Sequence, residues 1–161
     1  MAVVGQEIGA EDDATVQYIL GGSPLLTQLQ QILRQTAGFA LLVMNQGGRA
    51  PVLDAPLALA SQALSSTSAE LQALRVPARA GRHYHHAIEA VTAIGQAIDL
   101  VAICLRCARD DPARAALTRR LRVATEHLRA ASRQPGFGMV DLRQACCAYH
   151  ADTLCTVNPQ Q

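Results

Sequence analysis

Residues 79–110 read RAGRHYHHAIEAVTAIGQAIDLVAICLRCARD, a proline-free stretch whose apolar residues recur every three to four positions. That spacing is the period of an α-helix. One seam runs Tyr84, Ile88, Val91, Gly95, Ile98, Ala102 and Leu105, and a second beside it runs Ala87, Ala90, Ile94, Ala97, Val101 and Cys104. Together they cover most of the helix circumference and leave only His85, Glu89, Thr92, Gln96, Asp99 and Arg106 as a narrow polar line. A helix apolar on several sides must be sheltered on several sides. The segment is therefore expected near the middle of a bundle, starting between Ala78 and Arg82.

Working outward, Asp111-Pro112 combines a capping acid with a proline at a helix start and makes a tight corner, so the next helix must fold back antiparallel. Its apolar stripe is Ala113, Leu117, Leu121, Ala124, Leu128 and Ala131. Upstream, Asp54-Ala-Pro56 opens a helix with the stripe Leu57, Ala60, Leu64, Thr67, Leu71 and Leu74. Its middle, SSTSAE, is weak in helix propensity and must be held by packing. Ser23-Pro24 starts a further helix to about Gln46, with core positions Leu25, Leu29, Ile32, Leu33, Thr36, Ala37, Ala40, Val43 and Met44, stopped by Gly47-Gly48. Residues 1–22 form an acidic lead, with a short helix over Ala14–Leu20 that Gly21-Gly22 would end. After the turn Gln134-Pro-Gly-Phe-Gly138, a last helix is expected from about Met139 to Thr156.

The fold expected is all-α: an antiparallel up-down helical bundle of four main helices plus one shorter helix, forming a single domain over residues 23–157 behind the 1–22 lead. A chain of 161 residues can bury such a core without metals or cross-links. Only 17% of the residues are charged, and there are five aromatics and no Trp. A helical domain so short of charge is expected to hide part of its surface against a copy of itself or a partner. All fourteen basic residues are Arg. Residues 1–70 hold six acids and two Arg, whereas residues 71–161 hold seven acids and twelve Arg. The net charge of +1 argues against a strong nucleic-acid binder. Five Cys, two of them adjacent at Cys146-Cys147, suit reduced thiols and a cytoplasmic, bacterial-type setting better than a disulfide framework. The start MAVVGQEIGAEDDA lacks the features of a secretion signal, and no uninterrupted apolar run approaches a membrane span.

Candidate chemistry is sparse. His83, His85 and His86 crowd the start of the central helix, and His85 with Glu89 places an imidazole and a carboxylate one turn apart, as a transition-metal site requires. The plainer reading is solvated or capping histidines. Cys104-Leu-Arg-Cys107 has redox or half-zinc spacing, but no second pair matches it, and both thiols read as small core residues. Arg114, Arg119, Arg122 and Arg129 give the helix after the corner a basic face suited to an acidic protein partner, including the acidic half of a second copy. No phosphate-cradling loop, nucleophile elbow or zinc-protease motif occurs. The function expected is a non-enzymatic protein-interaction module, a homodimer associating through apolar helix faces and needing no cofactor. The alternative is a metal- or small-ligand-binding bundle using His83, His85, His86 and Glu89, with Cys104, Cys107 or His127 as further ligands from facing helices.

Overall fold

A computed structural model describes residues 4–45, 53–107 and 111–134, with side chains from Asp13 onward. The elements are α1 (Val4–Asn45), α2 (Asp54–Ala73), a single 3₁₀ turn (Ala78–Ala80), α3 (Gly81–Arg106) and α4 (Asp111–Ser132). Among the described residues there is no strand, and the fold is the all-α antiparallel bundle expected. Its register follows from a few contacts. Gly21, two fifths of the way along α1, meets Leu74 just past the end of α2, Tyr18 meets His83 in the first turn of α3, and His86 meets His127 near the end of α4. The four helices therefore run up, down, up and down.

The bundle has a rhombic cross-section. Among the described residues α3 touches each of the other three helices, most extensively α4, whereas α2 and α4 do not meet. Three-sided shelter is what the sequence of α3 demands, and its fully enclosed positions are His83, Ala87, Ala90, Ala93, Ile94, Ala97, Ile98, Val101 and Cys104. The Ala-rich seam is thus the innermost, and Tyr84, Ile88, Val91, Ala102 and Leu105 are half-buried against its edges. Of the described helices, α3 alone is long and apolar enough to cross a membrane by length and composition. Of that apolar stretch, 39% is buried inside the protein.

α2 buries Leu57, Ala60, Leu64, Thr67 and Leu71, the stripe read from its spacing. Its weak middle is held by packing, with Leu64, Thr67 and Leu71 buried; Thr67 satisfies its hydroxyl on the Ala63 carbonyl at 2.8 Å, and Ser66 bonds Glu70 at 3.2 Å. Thr36 on α1 is buried by the same device, donating to the Ile32 carbonyl at 2.8 Å. Asp54 does not act as the expected cap: it lies in the first turn of α2, where its charge favours the positive end of the helix dipole, and Leu53 precedes it.

The largest departure from expectation is α1, which runs unbroken through Gly21-Gly22 and Pro24. The boundary set between residues 22 and 23 falls inside this helix. Pro24 removes one helical amide, at a local cost of about 3 kcal/mol. Packing offsets it, since Tyr18, Leu25, Leu26 and Leu29 are all buried on either side of the interruption. The glycines do not stop the helix; they seat Leu74. A Cβ on Gly21 would lie 2.9 Å from a Leu74 methyl, and one on Gly22 would lie 3.7 Å from the other. Gly47-Gly48, Gln134 to Gly138 beyond its first residue, and the expected helix from Met139 to Thr156 lie outside the described residues.

Two substitutions test this packing by urea denaturation. Ile94→Ala removes a fully enclosed side chain of α3 and should cost about 2–5 kcal/mol. Gly38 is exposed in mid-helix with nothing within 4 Å of a built Cβ, so Gly38→Ala should stabilise by roughly 0.5–1 kcal/mol. A loss of stability in Gly38→Ala would show that the exposed face of α1 is not free.

Candidate functional site

The titratable side chains gather at the end of the bundle where α3 begins and α4 finishes. His83 occupies the first turn of α3 yet is only 2% exposed, and its Nδ1 lies 2.8 Å from the hydroxyl of Tyr18, itself 1% exposed. The rings meet edge to face, with centroids 5.5 Å apart and planes at 88°. Leu74, Val76, Ala80 and Tyr84 close this small secondary core. Burial pushes the His83 pKa down to about 4, with the nearby His86 adding to the effect. Burial pushes the Tyr18 hydroxyl up to about 12, with Tyr84 adding to it. Both groups are therefore neutral at pH 7, and the contact is a hydrogen bond between uncharged partners.

His86, one turn further, is half-buried and faces α4. Its Nδ1 stands 3.1 Å from Nδ1 of His127, with ring centroids 5.3 Å apart. The exposed His85 ring lies 5.6 Å from that of His86. Desolvation lowers the His86 pKa, the neighbouring His127, His85 and Arg82 lower it further, and Glu89 opposes them. One of the two facing Nδ1 atoms donates to the other across the helix pair.

The four residues expected to form a metal site are thus divided. His83 is directed to Tyr18, His86 to His127, His85 lies in the solvent and Glu89 is half-buried. Among the described residues no three His, Cys, Asp or Glu side chains converge as a metal cluster would. The reading of His83 as a solvated or capping residue is corrected by its burial. His127, which the ligand-binding alternative also considered, is brought against His86, whereas Cys104 and Cys107 contribute to no such cluster among the described residues.

The Cys pair is also divided, because Cys104 points into the core while Cys107 lies exposed at the C-terminal cap of α3. Only Cys104 is the core residue expected. On α4, Arg119, Arg122 and Arg129 are exposed and Arg114 is half-buried. Between α2 and α3 runs an open groove of about 440 Å³, bounded by Ser61, Ser65, Ser68, Gln72, Thr92 and Gly95. Its hydroxyls have no His, Asp or Glu among the groove's lining to activate them, so it offers no nucleophile–base pair. Comparison with known proteins finds no matching family model, no similar curated protein and no similar solved structure.

Two measurements follow from this geometry. The folded His83 pKa lies below its ordinary value of 6.5, so the unfolded chain takes up the proton first. The stability it contributes as a neutral group is complete above about pH 6.5 and is lost as pH falls toward 4, by ~3 kcal/mol at most. His86 shifts in the same direction and adds to the slope. Urea midpoints should fall over this window, and His83→Gln should flatten the fall. Tyr18→Phe keeps the ring contact and should cost about 1–3 kcal/mol at pH 7; an unchanged midpoint would dismiss the hydrogen bond as a stabilising element. Separately, alkylation of the native protein followed by peptide mapping should modify Cys107 well before Cys104. Equal rates would contradict the burial of Cys104.

Proposed function

We propose that this chain is a non-enzymatic interaction module that self-associates through apolar helix faces. The carrying observation is the exposure of large aliphatic side chains, most of them at the end of the bundle away from the histidines: Leu41 is 61% exposed and Leu59 is 67% exposed, with Leu42 and Ile103 also on the surface, while Val16 and Leu20 are exposed beside Tyr18 at the other end. From the pairing of Gly21 with Leu74, Leu59 sits roughly 8 Å along the axis from the level of Leu41. Single exposed leucines are ordinary, but several at one end of a charge-poor bundle fit a surface that is covered in use. The groove without a base and the divided cysteines support a binding role over a catalytic one.

The partner favoured is a second copy, and an isologous contact would use each leucine twice. The exposed Arg119, Arg122 and Arg129 offer a separate, charged face for an acidic protein. Light scattering on the untagged chain should give twice the monomer mass of 17.1 kDa at micromolar concentration. Leu41→Glu with Leu59→Glu should return the monomer without loss of helical signal. A wild-type monomer at every concentration tested would end the self-association reading, and a dimer insensitive to the two substitutions would move the interface elsewhere.

A further inference from the structure

We propose that His86 and His127 form a two-histidine site for a divalent transition metal that clips α3 to α4. The geometry carries it. The two Nδ1 atoms are 3.1 Å apart. Two imidazole nitrogens bound to one tetrahedral Zn(II), each at about 2.0–2.1 Å, stand roughly 3.3 Å from one another. The pair needs only a few tenths of an ångström of movement and a modest ring rotation to accept the ion in place of the proton they share.

The backbone beneath both residues is held in position. On α3, Ala87 and Ala90 are completely buried, and on α4 Ala124 and Leu128 are buried to within 1%. Each histidine therefore projects from a fixed point on the most extensive helix–helix contact of the bundle. A chelate spanning two rigid helices loses little conformational freedom on binding. Both rings are half-buried, so solvent reaches the pair and water completes the coordination shell. Glu89 lies one turn along α3 from His86 and supplies a negative charge near the incoming cation, opposed by the Arg82 guanidinium on the other side of His86 along the helix. Nitrogen donors without a converging carboxylate set favour Zn(II), Co(II), Ni(II) or Cu(II) over Ca(II) or Mg(II).

The chain also carries five cysteines, so the test must separate nitrogen from sulfur ligation. Untagged full-length protein, dialysed against chelator and kept reduced, is titrated with Co(II) and followed by its visible d–d absorption, then displaced with Zn(II). One equivalent should bind without the near-ultraviolet thiolate-to-cobalt charge-transfer band. His127→Gln and His86→Gln should each weaken binding by roughly tenfold or more, while His150→Gln should leave it unchanged. In the wild-type protein, Zn(II) should protect His86 and His127 from diethylpyrocarbonate, as read by peptide mass, and leave His85 reactive; this reading does not depend on any variant folding. A thiolate band at the first equivalent, full affinity in either glutamine variant, or modification of His86 and His127 unaffected by Zn(II) would overturn the site.

Discussion

The rest of the molecule depends on the need to shelter α3 from water on three sides. Its innermost positions are mostly small, with Ala87, Ala90, Ala93 and Ala97 in one run. Alanine contributes little apolar area per residue, about a quarter of what a large aliphatic side chain can bury. Small residues compensate by letting helix axes approach closely, so that many weak contacts form along the whole length of a pair. The extensive contact of α3 with α4, which is also lined by Ala113, Ala124 and Ala131, follows from that requirement. Once the hairpin register is fixed by this seam, His86 and His127 have no choice but to meet.

The same dependence explains which parts of the fold were legible in the sequence. The stripe of α2 could be read because Leu57, Leu64 and Leu71 are spaced by two helical turns and nothing local contradicts them. The course of α1 could not, because Gly21-Gly22 and Ser23-Pro24 are strong local signals for a stop and a restart. What overrides them is non-local: Leu74, more than fifty positions along the chain, needs the missing side chains of the glycines as its seat. Gln30 and Leu26 were likewise missed as core positions, since the helix buries a broader arc than the one stripe assigned to it. Local propensity describes what a segment prefers alone, and a four-sided contact network decides what it does.

The histidines show the same division at the level of the candidate site. Their clustering at the start of α3 was visible, and the surface position of His85 agrees with ordinary expectation. The burial of His83 was not visible, because its partner Tyr18 lies 65 positions away in a segment read as an acidic lead. A buried imidazole with a hydrogen-bonded phenol is tolerable only as a neutral pair, and this constrains the end of the bundle to stay uncharged at its centre. Charge is confined to its rim, where Arg82 and Glu89 act on His86. The sequence shows residue types, but whether an imidazole is a ligand, a hydrogen-bond partner or a solvated group is decided by which helix crosses it.

The Leu41–Leu59 surface and the histidine pair lie at different levels of the bundle, and the separation bears on how the two proposed activities relate. Leu41, Leu42, Leu59 and Ile103 are exposed toward one end, and Val16 and Leu20 are exposed beside Tyr18 toward the other. The Tyr18–His83 contact and the His86–His127 pair also lie at the end where α3 begins. His86 lies seventeen residues before Ile103 on the same helix, a separation of roughly 25 Å along the axis. At that distance an ion at the histidines and a second copy at the leucines do not touch common side chains, so energetic coupling between them would have to pass through the α3–α4 seam. A seam of close-packed alanines has few alternative rotamers with which to respond, since alanine has none. Metal binding is thus expected to tighten the helix pair locally without altering the affinity of the proposed self-association, and each activity stands or falls on its own surface.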